Sequence, residues 1–335
     1  MSPFRRAPLA FSTPHAKRAR KRIEIGLVNN MGDLALKATE RQFRTLAAAA
    51  GNEFDLRFRV FALERTPRSA WARDYIAARY EPATAIFGSE LHALIITGAQ
   101  PQTDRLNEEL YWEELVELIE WAKLNTTSTI FSCLAAHAAV LHLDGIQRRR
   151  LEEKCTGVFA FTTKRTDPLV GTKGSERRIP HSRYNGLIER ELEQSGYCVL
   201  SASHKYGVDA FVKSFGSLFV FLQGHPEYEA NSLAREYRRD VNAYLNQETS
   251  KLPFRPENYF GIQGDTELRE LQDLRYADGL AADHLFKIDS FTPFKACWRE
   301  AAVSFFRNWL DGIAEGVGHS AAASASVEAR EFVTP

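Results

Sequence analysis

A chain of 335 residues that is 44% hydrophobic and 26% charged, with a formal net charge of zero, has ample apolar material for a core. It lacks the charge bias of a dedicated nucleic-acid or anionic-surface binder. Its four cysteines, Cys133, Cys155, Cys198 and Cys297, show neither paired zinc spacing nor the density of a disulfide scaffold. No secretory signal and no run of roughly 18 apolar residues stands out, so the expected setting is the reducing cytoplasm, with no metal and no membrane partner.

Residues 1–22 carry Arg5, Arg6, Lys17, Arg18, Arg20, Lys21 and Arg22 and no acid. No aromatic stands within its basic cluster at 17–22, and the run reads as a disordered basic tail rather than a nucleic-acid module. Strand and helix then alternate. Residues 23–28 read as a strand, 35–50 as a helix with Phe43 and Leu46 inward, 56–61 as an alternating strand and 93–97 as a buried one. A helix follows with Leu115, Leu118, Ile119 and Ala122 at core spacing. This order predicts a parallel sheet with right-handed crossovers.

Next comes Ser128-Thr129-Ile130-Phe131-Ser132-Cys133-Leu134-Ala135-Ala136-His137, where a β-branched apolar run becomes an alanine-rich helical run at the sulfur. A strand that turns sharply into a helix exposes the side chain at the turn and aims the first helical amides at it, which makes a thiol there a ready nucleophile. Alone, such a cysteine also reads as a small core residue. Later strands at 197–200, 208–212 and 218–222 are closely spaced, with a hairpin turn at Phe215-Gly216-Ser217, and form an antiparallel part of a mixed sheet. The last of them ends in Gln223-Gly224-His225-Pro226-Glu227-Tyr228. His225 can take a proton from Cys133 while Glu227 fixes its tautomer. An open α/β sheet gathers its chemistry at the carboxyl ends of its strands, which is where both pieces lie. An oxyanion would be held by the amide of Leu134 and by one from the Thr97-Gly98-Ala99 turn, where Gly98 permits close backbone approach to Ala99's neighbours. Beyond residue 315 the chain becomes a flexible tail, with a low-complexity Ala/Ser stretch near 320–326.

Several motifs recur together: Ile95-Ile96-Thr97-Gly98-Ala99, Tyr111-Trp112, Glu120-Trp121-Ala122-Lys123, Thr127-Ser128-Thr129 before Cys133, Pro180-His181-Ser182-Arg183-Tyr184 and Gly224-His225-Pro226-Glu227-Tyr228. In these the chain resembles homoserine O-acyltransferases of the homoserine O-succinyltransferase type, over most of its length. The resemblance implies a single domain over 23–315 with a class I glutamine amidotransferase-like, flavodoxin-like fold: α/β, three layers, a mostly parallel mixed sheet flanked by helices. It implies Cys133 as the acyl-accepting nucleophile, His225 as general base and Glu227 as its partner. By the same resemblance Lys154 is an active-site lysine, Ser182 contacts substrate and Arg239 holds the amino-acid carboxylate. Read without the family, Lys154 is a solvated lysine, Pro180 to Tyr184 a loop, and Arg239 one of three exposed helix arginines.

The implied reaction passes an acyl group from acyl-CoA, a co-substrate rather than a bound cofactor, through a Cys133 thioester to the hydroxyl of homoserine, within methionine biosynthesis and in a homodimer. The chain departs from the family in reading Leu134-Ala135-Ala136-His137 where relatives have Trp-Ala-Val-Gln. His137, one turn behind the nucleophile, reads as a packed helix histidine. Gln102 stands where the family discriminates acyl donors and leans toward succinyl, because an uncharged amide does not repel a carboxylate. The segment Asn29 to Glu40 is two residues longer than the family's and lacks its proline, so that family's lysine role is not carried to Lys37. From about residue 250, and over 254–298 above all, the pattern diverges, which leaves serine or an acetyl donor as alternatives. Two other classes stay open. A glutamine amidohydrolase uses the same triad but places glycines around its cysteine, where this chain has Phe131 and Ala135, and a non-catalytic relative would keep the fold for binding.

Overall fold

The computed structural model describes residues 20–262, 264, 266–268 and 296–316. Most of the basic tail, the Ala/Ser-rich stretch and much of the divergent segment lie outside them. The central strands form where β-branched and aromatic residues run together. In chain order the elements are β1 (Arg22–Val28), α1 (Leu36–Ala50), β2 (Asp55–Ala62), α2 (Ala70–Ala77), β3 (Glu81–Pro82), β4 (Ala93–Thr97) and α3 (Trp112–Asn125). They continue as β5 (Ser128–Ser132), α4 (Leu134–Asp144), β6 (Arg149–Thr163), β7 (Glu176–Gly186), α5 (Glu189–Gln194) and β8 (Cys198–Ser203). The last are β9 (Gly207–Phe215), β10 (Ser217–Leu222), α6 (Ser232–Leu245) and α7 (Arg299–Glu315).

Among the described residues the strands make one sheet in the order β3-β2-β1-β4-β5-β10-β9-β8-β6-β7. From β3 through β10 neighbours run parallel, and from β10 to β7 they run antiparallel. β10 is the hinge strand between the two regimes. Helices cover both faces. Leu115, Leu118 and Ile119 of α3 and Ala135 to Val140 of α4 pack on one face against Phe131, Phe219 and Phe221. On the other, Leu36, Phe43 and Leu46 of α1 meet Phe305, Phe306 and Trp309 of α7. These are the three layers of the expected α/β fold, and the apolar stripes of α1 and α7 bury one face of its sheet. Trp309 Nε1 donates to Ser128 Oγ at 2.9 Å, tying α7 to the sheet centre.

The β6–β7 hairpin was not expected from the sequence, and it corrects two readings. Pro180 to Tyr184 is strand, not loop. Pro180 sits opposite Val158 in β7, which is the outermost strand, and an edge tolerates a residue with no N–H to give. Lys154 is only 8% exposed, within β6, rather than a solvated lysine. β1 opens at Arg22, the last residue of the expected tail.

Candidate active site

β5 enters α4 through Cys133, which occupies the N-cap position with φ 53° and ψ −111°. Positive φ on a residue with a Cβ is strained, and such strain persists only where neighbours enforce it. They do so here: the Cys133 amide donates to Leu222 O of β10 at 2.7 Å, and its carbonyl accepts from Ala136 N at 3.0 Å. The side chain is thereby lifted out of both the sheet and the helix, at the positive end of α4. Gly98, directly after β4, presses against this turn. A Cβ on it would lie 2.4 Å from Leu134 Cβ and 3.0 Å from Leu134 Cα. The turn after β4 thus abuts the first residues of α4, directly beside Cys133.

β10 runs parallel to β5 in register from Leu218↔Ser128 to Leu222↔Ser132, so the residues just past both strands emerge side by side. His225 follows there, 5% exposed, with Nδ1 2.8 Å from Glu227 Oε1, itself 4% exposed. Its ring stacks on Tyr228 with centroids 4.3 Å apart. Burial pushes the His225 imidazole down, but the charges of Cys133 and Glu227, both within hydrogen-bonding reach, raise it well above the ordinary histidine range. The ring is braced between a sulfur and a carboxylate.

His137 lies beneath, 2% exposed, with Nε2 2.8 Å from Gln223 Oε1. Gln223 Nε2 donates to Val208 O at 2.6 Å, which leaves its oxygen to accept and puts the ring proton on Nε2 of His137. Burial pushes this histidine down to about 4, so it is neutral.

Lys154 and Arg239 converge on Asp240, at 2.7 Å from Oδ2 and 2.8 Å from Oδ1. Burial raises that carboxyl, yet the two cations outweigh it and hold it below the usual aspartate range. Arg239 remains half exposed on α6, paired rather than free. Ser182 alternates with buried His181 on β7 and so shares a face with Tyr184, whose ring lies 5.3 Å from Lys154 Nζ. Gln102 is exposed. Its amide and that of Thr103 donate to buried Glu109 Oε1 at 2.8 and 2.9 Å, and its side chain turns back to Gln100 O at 3.3 Å.

Cys133, Leu134, Gly98, Ala99, His225 and Glu227 therefore cluster at the carboxyl ends of β4, β5 and β10. Lys154, Ser182 and Arg239 form a second group on β6, β7 and α6, and Gln102 stands on the loop after β4. Three polar residues of the site region escaped the sequence reading. Tyr228 stacks on the base and donates to Glu236, Asp240 joins Lys154 to Arg239, and Glu109 ties down the Gln102 turn. Tyr228 and Asp240 adjoin residues already singled out, and that adjacency was the available signal. Among the described residues no group of three or more His, Cys, Asp or Glu side chains is arranged to hold a metal ion. Nor is any helix among them long and apolar enough to cross a membrane.

Comparison with known proteins places the site in context. The family model described as homoserine O-succinyltransferase matches residues 9–316. The chain is 42% identical over 304 residues to the homoserine O-succinyltransferase of Methylorubrum extorquens, covering 90% of each. It is 43% identical over 309 residues to that of Rhodopseudomonas palustris, covering 90% of this chain and 91% of that one. Among solved structures it is similar to a glutamine amidotransferase from Thermotoga maritima, at 13% identity and a TM-score of 0.45 over 88% of this chain and 99% of that one.

Proposed function

The chain belongs to the homoserine O-succinyltransferase family, and from that we propose that it transfers an acyl group, succinyl in preference to acetyl, from acyl-CoA to the side-chain hydroxyl of L-homoserine. The observation that carries the mechanism is the strained Cys133 turn beside the buried His225–Glu227 pair. Cys133 gives its proton to His225 as its sulfur attacks the thioester carbonyl, and the tetrahedral oxyanion is held by the Leu134 amide and one from Gly98–Ala99. Collapse expels CoA thiolate, which takes the proton from His225. The now neutral His225 removes the proton of the homoserine hydroxyl, the oxygen attacks the acyl-enzyme, and collapse frees the ester and the Cys133 sulfur, which takes its proton back from His225. One base serves both halves, which gives ping-pong kinetics.

Arg239 holds the α-carboxylate of the acceptor, because a planar and permanently charged fork suits a carboxylate, and Ser182 and Lys154 line the same side. Gln102 contacts the donor's acyl end. No bound cofactor takes part, and the enzyme works as a cytoplasmic homodimer in amino-acid biosynthesis. The test is CoA release by the purified protein with succinyl-CoA or acetyl-CoA, each offered with homoserine or serine, beside Cys133→Ala. Multiple-turnover release that needs homoserine, after a single-turnover burst that does not, is expected, and both should vanish in the variant. Silence with all four pairs, together with ammonia release from glutamine, would replace this reading with an amidohydrolase.

A further inference from the structure

Behind the His225–Glu227 pair lies a second histidine–carboxylate pair that takes no part in the mechanism above. His181 of β7 is 0% exposed and Asp209 of β9 is 3% exposed. A carboxylate so deeply buried is costly unless it is well partnered. Its Oδ2 accepts from Ser201 Oγ at 2.9 Å, and its Oδ1 lies 3.2 Å from His181 Nε2 as an ion–dipole contact. On the other side of the ring, Nδ1 accepts from Arg183 Nε at 3.2 Å, which leaves the ring proton on Nε2, facing the carboxylate. Arg183 is itself pinned, donating to Asn185 O at 2.8 Å and to Tyr206 O. Phe161 closes the pocket, its centroid 4.6 Å from the imidazole. Burial pushes His181 down to about 4, while Asp209 is held below the ordinary range despite its burial, by His181, Arg177 and Ser201. The pair is thus a neutral imidazole against a carboxyl held toward its charged form, with its geometry fixed from three sides.

The surface this pair presents is occupied by Gly224. A Cβ there would fall 2.7 Å from His181 Nε2, 2.8 Å from Asp209 Oδ1 and 2.5 Å from Ile179 Cγ2. The turn is also fastened on both flanks by main chain: Gln223 N donates to Asp209 O and His225 N to Pro180 O, each at 2.8 Å. Asp209 and the residue preceding His181 therefore hold the two ends of the three-residue turn whose middle rests on their side chains. We propose that His181 and Asp209 are positioning residues for the general base, a buried platform that sets where the 223–225 turn stands and so aims His225 at Cys133. The inference rests on the acyl-transfer reading, since it concerns the base of that reaction.

The experiment measures both half-reactions by rapid kinetics: formation of the acyl-enzyme from succinyl-CoA, and its discharge by homoserine, per folded protein as read from the thermal melt. His181→Phe keeps the volume among the phenylalanines but removes Nε2–H. It is expected to slow both steps about 100-fold, the cost of displacing a reacting group by about 1 Å, with both KM values within twofold of wild type. His181→Gln restores an N–H toward Asp209 and is expected to recover at least tenfold of that loss. A lower melting temperature with both rates intact would make the pair structural only and overturn the proposal. Should His181→Phe fail to fold, Gly224→Ala carries the test from the other side: its Cβ presses on the pair and lifts the turn while both residues of the pair are retained, and undiminished rates there would equally overturn it. Failure of the wild-type protein to form any acyl-enzyme would instead remove the acyl-transfer reading itself.

Discussion

Replacing Gly98 by alanine should damage catalysis by a route the structure allows to be sized. The new Cβ would stand 2.4 Å from Leu134 Cβ, 3.0 Å from Leu134 Cα and 3.1 Å from Ala135 N. Carbon atoms rest at about 3.5–4.0 Å, so the end of β4 and the first turn of α4 must part by roughly 1 Å. None of the opposing atoms lies at the end of a flexible side chain, so relief comes only by moving backbone. An oxyanion donor near 3 Å that retreats by this distance no longer makes a useful hydrogen bond, and losing one such donor costs about 100- to 1,000-fold in kcat, or about 2.7–4 kcal/mol of transition-state stabilisation. Stopped-flow release of CoA would read the effect in the first half-reaction. Alkylation of Cys133 by iodoacetamide serves as the control, because that reaction develops no oxyanion and should proceed near the wild-type rate. A Gly98→Ala enzyme whose kcat stays within threefold of wild type would refute the placement of the cradle between these two turns.

Glu227→Gln keeps the shape of the base's partner and removes its charge. His225 should then titrate lower, as followed by NMR, and kcat should drop about 1,000-fold or more by analogy with other triads, whereas an unchanged titration would show that Glu227 does not support the imidazolium. His137 gives a pH prediction. It titrates at about 4 when folded against 6.5 for the free group, so between those values the unfolded chain binds a proton that the folded chain refuses, and stability falls as pH falls. The site should cost roughly 2–3 kcal/mol by pH 4.5, and His137→Gln should flatten the acid limb of stability by that amount in urea melts at pH 7.5 and 4.5, an unaltered limb counting against it. Phe306→Ala, at a fully buried ring 6.3 Å from Phe43 and 5.6 Å from Trp309, should cost about 3–5 kcal/mol of stability while leaving KM unchanged in the fraction that remains folded.

The parallel half of the sheet was legible because its strands are short, apolar runs that alternate with amphipathic helices, and each leaves its own signature. Cys133 was legible for the same reason, since it marks the point where one periodicity gives way to another. β6 and β7 were not read, because charges mask them: Arg149, Arg150, Glu152 and Glu153 crowd one end, Glu176, Arg177 and Arg178 the other, and a proline interrupts β7. Their period-2 signal is nevertheless present, in Phe159 and Phe161 and in Ile179, His181 and Arg183 on the buried face. Lys154 and Asp209 illustrate a further limit. A charged residue in a strand announces solvent unless its partner is known, and Asp240 and His181, 86 and 28 positions away along the chain, become partners only once the sheet is assembled.

The parallel pairing of β5 with β10 also has a temporal side. Their opposed residues Ser128 and Leu218 are 90 positions apart, and a ribosome adding about 5–20 residues per second leaves β5 waiting roughly 5–20 s for its partner to be synthesised. Throughout that interval the strand that leads into Cys133 offers an open edge at what will become the middle of the sheet, where unpaired backbone invites pairing with other chains. The Cys133 amide cannot reach Leu222 O, and the thiol cannot meet its base, until β10 slots in. The cluster around Cys133 is therefore unassembled until the sheet is closed, and this edge stands open from the emergence of residue 132 to that of residue 222.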